Sequence, residues 1–164
     1  MTKPFEMTYV MRAGTVVLKV MLGAGVPMGP LALLSVRGRK SGKIYTTPVA
    51  LVKQYGERWL VAAFGEVSWV HNLRAAGEAQ LISGRRAETI GVVELGITDA
   101  APILRKFLID FHLVPFIPPY FDATPQSPLL NFQHEASSHP VFRILRMKVL
   151  LTGSVDKSMR CKID

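Results

Sequence analysis

The sequence predicts a single α+β domain built around a small antiparallel barrel or sheet. Three observations carry this prediction. Short β-branched runs recur between Gly-rich turns. A few stretches switch instead to helical spacing of apolar residues. The chain is 164 residues long and 49% hydrophobic, enough for one packed core and too apolar for disorder.

The elements follow in order. Glu6 to Leu22 places Met7, Val10, Met11 and Leu18 on one helical face. "GAGVPMGP" then breaks the helix and serves as a connector, so residues 1–28 read as an N-terminal helical extension of the one domain at 1–164. Leu31 to Val36 has strand character, "RGRKSGK" is a turn, and Ile44 to Lys53 is a partly alternating strand. "QYGE" turns into a third strand, Arg58 to Phe64. "SWVHNLRAA" changes period: Trp69, Leu73 and Ala76 share a helical face, with Ser68 as N-cap and Gly77 as the stop. Glu78 to Ile82 and Ala87 to Leu95 form a hairpin across "SGRR". Asp99 to Leu113 is an amphipathic helix, "PFIPPYFDATPQSP" an aromatic Pro-rich loop, and His139 to Leu150 a closing strand or two.

Charge narrows the partners. Twenty Lys and Arg against twelve Asp and Glu give +8, so the chain attracts anions. The cations cluster in one turn and are otherwise scattered without an aromatic platform, which argues against nucleic acid. One cysteine, Cys161, rules out an internal disulfide and makes a reducing cytoplasm the default location. Val20 to Val36 is uncharged but carries Pro27 and Pro30, too interrupted for a spanning helix. With a mean hydropathy of +0.24, the N-terminal stretch fits either docking on its own domain or a peripheral membrane contact.

Three motifs bear chemistry. In "GRKSGK", Arg37, Arg39, Lys40 and Lys43 surround Gly38 and Gly42. A P-loop needs four residues between its glycines and a hydroxyl residue after the lysine; here only three intervene and Ile44 follows Lys43. What remains is either a solvated hairpin tip or a turn whose amides, cations and Ser41 hydroxyl hold a phosphate, with glycine permitting close approach. In "SWVHNLRAAG", the Trp69 indole could flank a flat ring and Asn72 could bond its edge, or both could be structural. Phe116, Tyr120, Phe121 and Phe132 could wall a flat-substrate pocket, with the Tyr120 hydroxyl as proton source, or simply pin their loop. "HEASSH" spaces His134 and His139 five apart, not the four of a zincin helix, and there are no cysteine pairs, so no metal site is expected. No Gly-x-Ser-x-Gly nucleophile motif occurs.

Together, "GRKSGKIYTTPV", "LVAAFGE" and "SWVHNLRAAGEAQL" resemble the deazaflavin (coenzyme F420)-dependent nitroreductase and quinone reductase family of actinobacteria, relatives of the flavin-binding split barrels. The resemblance runs from Leu31 to Leu95, with a weaker echo in "HPVFRIL". It implies a split β-barrel (FMN-binding split-barrel-like) of about six antiparallel strands with flanking helices. It also implies coenzyme F420 as cofactor, with FMN as the alternative. Carried across, Arg39, Lys40, Ser41 and Gly42 would grip the phosphate region, and Tyr45, Thr46, Thr47 and Pro48 would line the linker and ring. Ala62 and Ala63 would approach the ring, Ser68, Trp69 and Asn72 would border it, and Tyr120 would face the substrate. Tyr120 and Ser68 are the catalytic candidates. Two departures stand out: the segment before Trp69 shrinks to "GEV", and Tyr45 stands where some members carry a basic residue.

The implied activity is hydride transfer from reduced coenzyme to a small flat apolar or aromatic acceptor: a quinone, a nitroaromatic or an activated (α,β-unsaturated) double bond. The alternative is a non-catalytic carrier for coenzyme F420, FMN or an apolar ligand. Monomer and homodimer both fit.

Overall fold

The computed structural model describes residues 9–26, 29–114 and 117–147, with side chains from residue 15 onward. It contains β1 (Leu31–Arg37), β2 (Ile44–Gln54), β3 (Glu57–Val61), β4 (Glu78–Ser83), β5 (Arg86–Glu94) and β6 (Val141–Arg146). The helices are α1 (Tyr9–Gly23), α2 (Ser68–Ala76), α3 (Ile97–Asp110) and α4 (Leu129–Ala136), with a 3-10 turn at Pro118–Tyr120.

The strands close into one antiparallel barrel in the order β1-β2-β3-β6-β5-β4. The expected split-barrel architecture is what the chain adopts. The meander reading holds for β1 to β3, where short turns join neighbours. It does not extend to β6, which inserts between β3 and β5 from far along the chain, pairing Leu60 with Phe142 and Val92 with Ile144.

Alternation along the strands divides the core in two. The barrel interior holds Leu34, Val36, Leu51, Leu60, Leu81, Ile90 and Phe142, and α2 adds Val70 and Leu73 to it. The other faces of β2 and β3 (Ala50, Val52, Val61) pack against Leu104, Phe107 and Leu108 of α3 and Phe132 of α4. Helix α2 thus belongs to the barrel, whereas α3 and α4 form a layer outside it.

Several boundaries differ from the sequence reading. The α1 reading from Glu6 begins outside the described residues, as do Met7, Phe116, Cys161 and the end of the closing strand beyond residue 147. Helix α3 starts two residues early and stops at Asp110, where the Phe111 N–H bonds back to Phe107 O. Ser68 is not the cap of α2. Val67 takes that place in extended conformation, because its N–H is bound by Gly65 O and its own carbonyl receives the Val70 N–H. Gly77 does stop α2, at φ 71°, in the left-handed region open to glycine. Helix α4 was not foreseen.

Candidate functional site

The basic turn between β1 and β2 is a closed, preformed loop. Gly38 N–H donates to Lys43 O at 2.7 Å and Gly42 N–H to Gly38 O at 3.0 Å. Gly42 sits at φ 70°, which a side chain would strain. Lys43 N–H reaches Ser41 Oγ at 3.3 Å, and that hydroxyl lies 3.2 Å from the Tyr45 hydroxyl. The Tyr45 ring lies over buried Gly38, where an added Cβ would stand 2.5 Å from Tyr45 Cε2.

The charges of this turn are unspent. Arg37, Arg39, Lys40 and Lys43 are exposed, and among the described residues none of the four enters an ion pair. Other arginines are committed to glutamates. Arg58 grips Glu88, Arg143 grips Glu57, and Arg74 bridges Glu66 and Glu94. The hydrogen bond from Arg74 holds the Glu66 carboxyl below the ordinary carboxylate value, and the bond to Glu94 raises Arg74 further. Exposed cations without counterions on a rigid turn offer an anion more than paired ones do.

Asn72 of α2 fastens the turn to the barrel. Its Oδ1 accepts the Arg39 backbone N–H at 3.2 Å and the Arg39 Nη1 at 2.9 Å. Asn72 is itself buried. Arg74, on the same helix, ties α2 to the preceding loop through Glu66 and to β5 through Glu94.

The remaining candidates divide between surfaces. Cross-strand partners share a face. Tyr45 and Thr47 pair with Val36 and Leu34, on the barrel-facing side, whereas Thr46 and Pro48 pair with Ser35 and Leu33 on the other. Thr46 spends its hydroxyl on Ser35, at 2.8 Å. A ligand following one face therefore meets one alternate pair. Ala62 and Ala63 are buried at the end of β3, one in each core cluster. Trp69 is half-buried, 6.0 Å from the Phe142 ring, and anchors α2 on the barrel core. Ser68 is exposed at the start of α2. Tyr120 joins this region through Phe64, in the loop after β3, with ring centroids 5.0 Å apart and edge-to-face.

One buried polar pair beside the candidate site has no clear signal in the sequence. His139, viewed there only for metal spacing, is buried with Glu135 beneath the Tyr120 loop. Its Nδ1 lies 3.1 Å from Ala62 O and its Nε2 3.0 Å from Tyr120 O. The sequence hint is the i, i+4 spacing of Glu135 and His139 within "HEASSH".

This donor set fits a phosphorylated, polyanionic cofactor with a flat ring. Cations and amides stand at the turn, and small and aromatic side chains lie where α2 begins. Among the described residues no group of three or more His, Cys, Asp or Glu is arranged to hold a metal ion.

Comparison with known proteins agrees. The family model for F420H(2)-dependent quinone reductase matches residues 10–109, more than half of the chain. Among solved structures, the F420-H2 dependent reductase FDR-A is similar at TM-score 0.46 and 21% identity, over 71% of this chain and 94% of that one. The protein Atu2129 from Agrobacterium tumefaciens, of unknown function, is similar at TM-score 0.50 and 11% identity, over 89% and 59%. A FAD-binding protein from Mesorhizobium loti is similar at TM-score 0.42 and 14% identity, over 79% and 89%. At these identities the structural likenesses concern fold alone. No curated protein matches the chain.

Proposed function

Since the chain belongs to the F420H(2)-dependent quinone reductase family, we propose that it reduces a quinone with hydride from reduced coenzyme F420, nitroaromatics and activated (α,β-unsaturated) double bonds being further acceptors. Family membership makes the chain an oxidoreductase and coenzyme F420 its cofactor. The observation that carries the reading of the site is the basic turn: four exposed cations, in no ion pair among the described residues, on a closed loop fastened to α2 by the Arg39–Asn72 contact.

When bound, the coenzyme supplies the hydride, and the protein's work is binding and orientation. Lys40, Lys43 and Arg37 would attract the anionic phosphate and tail. Arg39, held by Asn72, would present its remaining guanidinium N–H groups at a fixed place. Trp69 and the alternate set Tyr45 and Thr47 would flank the ring. A quinone that takes a hydride also needs a proton to become a hydroquinone; in this reading the Tyr120 hydroxyl would give it, and the Ser68 hydroxyl would bond the acceptor oxygen.

The test is a fluorescence titration with coenzyme F420, followed by coenzyme oxidation with menadione and with a nitroaromatic. Tight binding with menadione turnover supports the reading. Binding without turnover of any acceptor supports the carrier alternative, and a yellow purified protein supports FMN.

Helix α1 motivates a second proposal, a peripheral membrane contact that would suit an apolar quinone. Val16, Val17 and Val20 are 60%, 58% and 65% exposed on it, and exposed apolar side chains beside Lys19 suit an anionic interface. No described helix is long and apolar enough to cross a membrane. Cosedimentation with anionic vesicles, absent with neutral ones, is the expected result.

A further inference from the structure

We infer that His139 and Glu135 form a buried clasp that positions the Tyr120 loop against the end of the strand carrying Ala62, and that this clasp sets the acceptor geometry; the inference rests on the reading that the acceptor binds beside Tyr120. Both side chains are almost fully buried, His139 at 2% exposure and Glu135 at 5%. Charged groups in that position are uncommon and are costly unless paired.

The clasp holds two distant segments at once. The imidazole faces Ala62 O with Nδ1 at 3.1 Å and Tyr120 O with Nε2 at 3.0 Å. A carbonyl oxygen only accepts, so both contacts are hydrogen bonds together only when both ring nitrogens carry protons. The Glu135 carboxyl stands beside the ring, with Oε2 3.5 Å from Nε2. Its Oε1 accepts the N–H groups of Asp122 at 2.6 Å and Ala123 at 2.7 Å. The Phe121 ring stacks on the imidazole, with centroids 4.0 Å apart and planes 14° apart. Residues 120 to 123 are thus gripped at every position: a carbonyl, a ring and two amides.

The other end of the clasp reaches the opposite wall. Ala62 O, which receives His139, also receives the Gly65 N–H at 3.1 Å. Gly65 begins the short turn that leads to Ser68 and Trp69, and a Cβ there would stand 3.3 Å from Ser138 O. Within the reading above, the clasp couples the loop bearing the proton source to the loop bearing the ring-flanking residues. Apolar packing of the same volume would stabilise the region as well or better; what the polar pair adds is directional hydrogen bonding to backbone atoms of both loops. His139 and Glu135 are positioning residues, since they act through Tyr120 and Ala62.

The test uses the full chain and three variants. His139→Phe keeps a flat ring on Phe121 and removes both donors; His139→Gln keeps an amide donor; Glu135→Gln keeps an acceptor and removes the charge. Hydrogen exchange is expected to speed up by about tenfold or more at the Asp122 and Ala123 amides of His139→Phe and Glu135→Gln, with α3 unchanged. The acceptor kcat/KM of His139→Phe is expected to fall about ten- to a hundredfold, with the coenzyme Kd within about twofold of wild type. His139→Gln should recover part of the loss. Exchange that stays slow at residues 122 and 123, or that rises equally throughout α3 and the barrel, overturns the clasp, and so does an unchanged kcat/KM. Should His139→Phe fail to fold, Glu135→Gln decides by the same readings. A wild type that binds no coenzyme and reduces no acceptor defeats the functional reading instead, and the exchange measurement still judges the clasp as a loop-positioning device.

Discussion

One oxygen of Asn72 accepts two hydrogen bonds from Arg39, a residue 33 positions earlier: the backbone N–H at 3.2 Å and the guanidinium at 2.9 Å. The carboxamide therefore fixes both the path of the basic turn and the direction of one of its cations. Asn72→Leu keeps the buried volume roughly constant and removes the acceptor. It is expected to weaken coenzyme binding about tenfold, the equivalent of roughly one lost charge-assisted hydrogen bond. Asn72→Asp is the sharper variant. A carboxylate would hold Arg39 more firmly yet repel an anionic ligand, so binding should again fall. Tighter binding in Asn72→Asp would show that Arg39 serves the turn and not the ligand.

Gly38 reports on the cover over the turn. Gly38→Ala would drive a Cβ to 2.5 Å from Tyr45 Cε2, so the ring must leave its place and release the Ser41 hydroxyl. Tyr45 is 50% exposed and free to swing outward, so the expected stability loss is below about 1 kcal/mol. Coenzyme affinity should change measurably, and Gly38→Ala combined with Tyr45→Ala should melt no lower than Tyr45→Ala alone. A double variant that melts lower than Tyr45→Ala would mean that the turn's backbone, not the ring, rejects the methyl.

The cations of the turn predict a salt response. Lys40→Ala and Lys43→Ala should each weaken coenzyme binding several-fold at low ionic strength, and the difference from wild type should shrink as salt screens exposed charge. Titrations at low and high salt check this. Variants that bind alike at both salts would remove these lysines from the anion site.

The legible parts of this protein were local. The turn announced itself through two glycines within a run of cations, and α2 through Trp69, Leu73 and the Gly77 stop. Strand β4 alternates as a strand does when one face is buried, with Ala79 and Leu81 inward. The less legible parts were those that distance decides. Nothing near Asn72 in sequence says that its oxygen belongs to Arg39. The place of β6 between β3 and β5 rests on pairings such as Trp59 with Arg143. Helix α4 is eight residues long and follows Pro125 and Pro128, so turn signals masked it; Phe132, fully buried against α3, holds it in place. Ser68 failed as a cap because backbone bonds around Val67 set the start of α2, overriding side-chain preference.

Acid stability offers a test remote from the site. Glu88 on β5 receives a two-pronged grip from Arg58 on β3, Nη2 lying 3.0 Å from Oε2. The hydrogen bond from Arg58 holds the Glu88 carboxyl below its ordinary 4.5; partial burial opposes this, and the charges of Arg58, Arg146 and Arg86 add to it. The sign follows from linkage. A carboxyl with a lowered folded value contributes stability above its unfolded value, and loses it as pH falls through the folded one. The contribution is therefore whole at neutral pH and fades below about pH 4.5. Glu88 is 39% exposed, so water screens the pair and its worth is about 0.5 to 1 kcal/mol. Glu88→Gln is expected to be less stable than wild type by that amount in urea at neutral pH, and the two should converge in acid once wild-type Glu88 is protonated. A gap that stays constant into acid would assign the loss to packing of the side chain and not to the ion pair.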